Sequence, residues 1–161
     1  VIRYTTGNLL ESGAEALVNA VNTVGVSGKR IALTFRQAYP DNFRAYEAAA
    51  KAGRVAVGEM FMTERLDRVR PRFIVNFPTK QHWRHPSRLE WIDDGLAALR
   101  REIAARGIRS IAIPPLGAGN GGLDWADVRP LIERALANVD ADIMVFEPLP
   151  VGATAGDARS D

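Results

Sequence analysis

Ile108-Arg109-Ser110-Ile111-Ala112-Ile113-Pro114-Pro115-Leu116-Gly117-Ala118-Gly119-Asn120-Gly121-Gly122-Leu123-Asp124 decides the fold. Its first six residues are apolar and β-branched enough to read as a buried strand. Pro114 and Pro115 end that strand. Four glycines within residues 117–122 follow, and Asp124, a favoured N-cap residue, opens a helix that runs to Asn138 with Val128, Leu131, Ile132 and Leu136 inward. A strand that passes through a glycine loop into a helix is a unit of an α/β sheet.

The same alternation extends in both directions. Upstream, Ser87 and Glu90 form a capping-box pattern, and Leu89, Ile92, Leu96, Leu99 and Ile103 recur every three or four residues until Gly107 stops the helix. Phe73–Phe77 is an apolar run suited to a central strand, which Pro78 is expected to end. Strands are expected at Val1–Tyr4, Ala16–Val21, Glu59–Thr63 and Ile143–Phe146. Helices are expected at Gly28–Tyr39 and Asp41–Ala52, with Pro40 between them. The pattern predicts one three-layer α/β sandwich, with a disordered Gly/Ala/Asp-rich tail at 151–161. Ligands of such sheets bind beyond the carboxyl ends of the strands. Here those ends carry Asn19–Gly28, Pro78–Pro86, Pro114–Gly122 and Glu147–Pro150.

Composition narrows the chemistry. The 161 residues suit one domain. There is no cysteine, so thiolate metal sites and disulfides are excluded, and the two histidines, His82 and His85, are too few for a histidine-rich metal centre. No metal is therefore expected. No apolar run is long enough for a membrane span, and we expect a cytoplasmic monomer. The net charge of +2 conceals a basic block: residues 65–88 hold seven arginines and lysines against Asp67, a segment of +6 beside a remainder of −4. Trp83, Arg84 and Arg88 within it read either as a nucleic-acid contact or as a solvated loop.

The loop motifs each read two ways. Gly117, Ala118, Gly119, Asn120, Gly121, Gly122 and Leu123 form either a cradle for a diphosphate before a helix N-terminus or a tight strand-to-helix turn. The spacing fits neither the P-loop nor the dinucleotide fingerprint. Gly25, Val26, Ser27, Gly28, Arg30 and Ile31 form either a second phosphate loop or a helix cap. Asn19 and Asn22 suit ribose hydroxyls and equally suit turns. Lys80 is one of three lysines beside eighteen arginines. It is either a surface lysine or an amine that serves as acid or nucleophile, for which arginine is a poor substitute. Asp124 reads as an N-cap or as a carboxylate near a sugar.

Taken together, Tyr4–Leu10, Ala16–Asn22, Gly25–Ala32, Asn76-Phe77-Pro78-Thr79-Lys80 and Pro114–Trp125 resemble a macrodomain, closest to the DarG-type DNA ADP-ribosyl glycohydrolase antitoxins, with the terminal ADP-ribose glycohydrolase type nearby. The resemblance covers about residues 1–150. It implies an α/β fold, a three-layer α/β/α sandwich with a central mixed sheet, as one domain over residues 1–150, and a cleft for ADP-ribose, which is product and ligand rather than cofactor. Asn8 and Leu9 would meet the adenine end, bordered by Phe146 and Pro148. Residues 25–31 and 117–123 would grip the diphosphate. Asn19 and Asn22 would lie at the distal ribose, and Thr79 would be a further contact to ADP-ribose. Lys80 matches the catalytic lysine of this branch, and Asp124 resembles the assisting acid of the terminal-glycohydrolase type. Ser27 and Arg30 depart from the Met and Gly usual in this branch.

The resemblance thus implies release of ADP-ribose from a modified base of thymidine type in DNA, with a cognate ADP-ribosyltransferase as partner. The same chemistry on Asp or Glu of modified proteins, and a reader that binds ADP-ribose without turnover, are the competing expectations.

Overall fold

The computed structural model describes residues 1–28, 30–67, 69–119 and 121–149, without the side chain of Arg30. The expectations placed on Asn120, on the Arg30 side chain and on the tail 151–161 lie outside the described residues.

Six strands form one sheet: β1 (Ile2–Thr5), β2 (Ala16–Asn22), β3 (Phe61–Glu64), β4 (Phe73–Lys80), β5 (Ser110–Ile113) and β6 (Asp142–Phe146). Their spatial order is β1-β6-β5-β2-β4-β3. All neighbours are parallel except β3, which pairs antiparallel with β4 at the edge. The sheet is mixed, as expected. β2 is buried along its whole length, as befits a central strand covered on both faces.

Four α-helices cover it: α1 (Arg30–Ala38), α2 (Pro40–Lys51), α3 (Leu89–Arg106) and α4 (Trp125–Leu136). On one face Ile92, Leu96, Leu99 and Ile103 of α3 and Val128, Ile132 and Leu136 of α4 pack on Val18, Val75, Ile111 and Val145. On the other, Ile31 and Phe35 of α1 meet Leu17, Ile74 and Ala112, while Phe43 and Tyr46 of α2 meet Val21. Alternate residues of β2 and β4 thus serve opposite layers.

Three local expectations are corrected. Pro78 does not end its strand. β4 continues to Lys80, and the register with β2 slips just there: Val21 pairs with Pro78 but Asn22 with Lys80. Such a bulge is a place where sheets tolerate proline, and it leaves Thr79 as the extra residue. Pro40 opens α2 at its first turn rather than merely separating two helices. The capping box fails: Arg88 is the N-cap of α3 and makes no side-chain cap, while Ser87 is buried with its hydroxyl unpaired.

Candidate functional site

Because β1, β6, β5, β2 and β4 are parallel, the loops that follow these five strands gather at one end of the sheet. Beside β5 and β6 they form a pocket lined by Leu9, Ile31, Pro114, Pro115, Phe146 and Glu147, together with Gly7 and Leu149. Leu9, Ile31 and Phe146, chosen from three distant parts of the sequence, therefore share one lining. Asn8 caps a single 3-10 turn over Leu9–Glu11, its Oδ1 accepting the N–H of Leu10 at 3.1 Å. That cap fixes the chain that carries Leu9 into the pocket. Pro148 follows, half-buried. Glu147 is held by Trp125 Nε1–H at 3.1 Å and by Arg129 at 3.5 Å, which ties the end of β6 to α4.

The glycine loop is braced from beneath. Its carbonyl at Gly121 accepts the N–H of Ser87 at 2.9 Å, and Leu123 N–H donates to Gly117 at the same distance. A Cβ at Gly121 would fall on the Gly117 carbonyl and 2.6 Å from Ser87 Oγ. Glycine is thus required at 121 by the protein's own packing, in addition to any ligand. Asp124 caps α4, Oδ1 accepting the N–H of Ala126 at 3.1 Å, and its side chain is exposed.

The other loop is organised by Asn22. Its Oδ1 accepts from the N–H groups of Val24, Gly25 and Val26 at 3.1, 3.0 and 3.3 Å and from Tyr46 Oη at 3.0 Å. Its Nδ2 donates to the Val26 carbonyl at 3.0 Å. The turn-building use of this asparagine is therefore realised in the fold. Gly25 has φ +92°, open to glycine and strained for other residues. Ser27 is buried, whereas Val26 is exposed.

Asn19 is placed differently. Its Nδ2 donates to Asn76 Oδ1 at 3.3 Å, and its own Oδ1 is buried without a partner. Behind it lies an amide network. Asn42 and Asn76 exchange two bonds, at 3.2 and 2.9 Å, Thr63 Oγ1 donates to Asn42 at 2.7 Å, and Asn76 Nδ2 also donates to the Phe61 carbonyl. A buried amide oxygen left over by an otherwise bonded network is a place to look for a ligand hydroxyl or a water. Neither Asn42 nor Asn76 stands out as a site residue in the sequence, because their pairing exists only once α2 packs on β4.

Lys80 lies half-buried at the end of β4, opposite Asn22 across the bulge. Its Nζ donates to the Trp83 carbonyl at 3.5 Å, and its own carbonyl accepts the N–H of Thr23 at 3.1 Å. The Thr23 hydroxyl reaches the Gln81 carbonyl at 2.8 Å. The asparagine loop and the lysine turn are therefore stitched together. Thr79, the bulged residue, is buried.

The basic block is not one patch. β4 separates it by about 25 Å of strand. At its start Arg65 pairs with Asp67, and Arg72 with Glu64 and Glu15. Among the described basic residues of the block only Lys80, Arg84 and Arg88 belong to the ligand end, and Arg88 is shared with Glu90 at 3.7 Å. Among the described residues no group of three or more His, Asp or Glu is placed to hold a metal, and no helix is long and apolar enough to cross a membrane.

The geometry matches known proteins. A family model described as Macro domain matches residues 18–132. A DNA ADP-ribosyl glycohydrolase of Thermus aquaticus is 51% identical over 150 residues, which cover 92% of this chain and 42% of that protein. One of Mycobacterium tuberculosis is 50% identical over 149 residues, with the same coverage. The chain therefore spans less than half the length of these curated relatives. The solved macrodomain of Thermus aquaticus DarG superposes with a TM-score of 0.88 over 92% of this chain and 99% of its own, at 51% identity. Thermosipho africanus DarTG in complex with ADP-ribose superposes at 0.85 with 29% identity, covering 95% of this chain and 42% of that one. With its parallel-centred sheet, its paired glycine loops and a family match across most of its length, the chain belongs to the Macro domain family.

Proposed function

We propose that this chain binds ADP-ribose and releases it from ADP-ribosylated DNA, with Lys80 carrying the chemistry. The observation that carries the proposal is the identity of about one residue in two, over nearly the whole chain, with proteins named DNA ADP-ribosyl glycohydrolase. The fold supports it in that Lys80 ends β4 in a turn bonded to the asparagine loop through Thr23. ADP-ribose would lie with adenine against Leu9 and Phe146, its diphosphate between residues 25–31 and 117–123, and its distal ribose toward Asn19 and Lys80. A partner with DNA ADP-ribosyltransferase activity suits this reading, because a Thermosipho africanus relative, 30% identical, is a fusion of that activity with the glycohydrolase.

The bond to break joins the anomeric carbon of the distal ribose to the base. Two routes use Lys80. As an ammonium it gives its proton to the departing base while water adds to the anomeric carbon. As a neutral amine it attacks the opened sugar, expels the base and forms an imine that water hydrolyses, freeing ADP-ribose and restoring the amine. Neither route requires a metal ion, and we propose that turnover persists in EDTA.

Lys80→Ala should abolish release from modified DNA and leave ADP-ribose affinity within a few-fold. Borohydride added during turnover should trap sugar on Lys80 only on the imine route. Full activity of Lys80→Ala would overturn the assignment. Turnover of Asp- or Glu-linked ADP-ribose on protein, with none on DNA, would redirect the substrate while keeping the site.

A further inference from the structure

Trp83 is a large aromatic side chain that the fold does not use. It is 40% exposed, and it belongs to none of the three apolar clusters that form the core. An exposed indole is nonetheless held in place. His85 N–H donates to the His82 carbonyl at 3.0 Å and Arg84 N–H to His82 Nδ1 at 3.1 Å, so the 82–85 turn is closed by its own bonds. The His82 ring stacks on the indole, 5.4 Å between centroids and 25° between planes. The Arg84 guanidinium lies 4.6 Å from the indole centroid. The backbone of Trp83 is also the acceptor of Lys80 Nζ. A partly exposed π-surface thus begins within one hydrogen bond of the lysine.

We propose that this turn is a stacking subsite for the nucleobase that neighbours the modified one. The inference rests on the DNA reading above and adds a second contact to it. A base has a π-face whatever its sequence, and an exposed tryptophan is a suitable platform for it. A guanidinium resting on an exposed ring is held loosely, so a base can replace it there. The displaced Arg84 then meets the phosphate that links the two nucleotides. Arg84 suits that role better than Arg88, which is shared with Glu90 and lies 5.7 Å from the Trp91 centroid. A protein substrate has no base to stack, so the same surface separates the two substrate classes.

The test compares the full chain on three substrates: an ADP-ribosylated thymidine nucleoside, an ADP-ribosylated single-stranded oligonucleotide, and that oligonucleotide with an abasic residue on one side of the modified base, each side in turn. The wild type should prefer the oligonucleotide to the nucleoside by about tenfold in kcat/KM, the scale of one stacked base. An abasic residue on one of the two sides should remove that preference. Trp83→Ala should remove it too, with no further loss on the abasic substrate, while Trp83→Phe should retain most of it.

Four results would overturn the subsite: no preference of the wild type for the oligonucleotide; a loss for Trp83→Ala that is as large on the nucleoside as on the oligonucleotide; a loss for Trp83→Ala that adds in full to that of the abasic residue; or an equal dependence on Trp83 with an ADP-ribosylated peptide. A wild type that releases ADP-ribose from the nucleoside and from the oligonucleotide with equal kcat/KM would remove the subsite and keep the DNA reading. One that releases none from any DNA substrate would remove both.

Discussion

The main-chain N–H of Ser87 donates to the carbonyl oxygen of Gly121 over 2.9 Å, which pins the chain just beyond the Lys80 turn to the glycine loop. The Ser87 hydroxyl is buried beneath that loop without a partner. The loop proposed to hold the diphosphate and the segment that leads into α3 therefore share one support, and a change in either is felt by both.

Gly121→Ala tests this support. The added methyl would meet Ser87 Oγ at 2.6 Å as well as the Gly117 carbonyl, so the loop has to open. Overpacking of this kind costs about 1–3 kcal/mol. Thermal melting should record that loss, and calorimetry should find ADP-ribose binding at least about tenfold weaker, a step of about 1.4 kcal/mol. Unchanged affinity in a folded variant would show that this loop does not shape the ligand site.

Asn22→Ala separates turn-building from direct ligation. The variant strips three main-chain N–H groups of their common acceptor, while the Tyr46 hydroxyl keeps the Asn22 main-chain carbonyl at 2.7 Å. Partly buried donors left unpaired cost about 1–3 kcal/mol. The melting temperature should therefore fall, and ADP-ribose affinity should fall with it because the 23–26 loop loses its anchor. Weakened affinity with an unshifted melting temperature would instead assign Asn22 to the ligand.

Asn42→Ala probes the amide network behind Asn19. The substitution takes one partner from each amide atom of Asn76 and the acceptor from the Thr63 hydroxyl. Loss of about 1–3 kcal/mol is expected in denaturant unfolding. Asn42→Ala and Asn76→Ala should be clearly non-additive in a double-mutant cycle, because they share two bonds. Additive losses would mean that the two amides act independently.

The sequence carries the layer order well and the amide network poorly. The stripe Ile92, Leu96, Leu99 and Ile103 is local, so periodicity reveals it. The slots at the carboxyl ends of the strands follow from strand–helix alternation, which places residues 19–28, 78–86, 114–122 and 147–149 at one end of the sheet. By contrast, Asn19, Asn42 and Asn76 meet across three elements, and no local pattern links them. Pro78 misleads because a proline ends most strands, yet a register slip accommodates it here. Ser87 and Glu90 have the spacing of a capping box, but packing against Gly121 claims Ser87 first. The net charge over 65–88 merges two groups of basic residues that β4 holds apart.

That separation makes a prediction about salt. Arg84→Glu should weaken activity on modified DNA and lower the slope of log K against log salt by about 0.7 for each phosphate that is no longer neutralised, the single-strand value. Arg72→Glu lies at the other end of β4, where Arg72 pairs with Glu64 at 2.9 Å and Glu15 at 3.8 Å. It should cost stability, at most about 1 kcal/mol for so exposed a pair, and leave the salt slope alone. Equal changes in slope for both variants would restore a single continuous basic surface.

Asp124 distinguishes cap from acid. Its Oδ1 accepts the N–H of Ala126, and its side chain faces solvent. Asparagine caps helices as well as aspartate does, whereas alanine forfeits about 1 kcal/mol. Asp124→Asn removes the ionisable acid and keeps the cap; Asp124→Ala removes both. If Asp124 serves α4 alone, Asp124→Asn should match the wild type in melting temperature and release ADP-ribose from modified DNA within about threefold of its rate, roughly 0.65 kcal/mol in barrier. Asp124→Ala should then lose the cap energy and show only the activity loss that follows from a looser glycine loop, visible mainly in KM. A general acid behaves otherwise, since its removal costs about 100-fold or more in kcat. A fall of about 100-fold in kcat for Asp124→Asn, with melting temperature and ADP-ribose affinity unmoved, would place the carboxylate beside Lys80 in the chemistry. The cap assignment expects the opposite, because the helix that Asp124 opens holds Glu147 through Trp125 and Arg129, and that anchorage survives the change to asparagine.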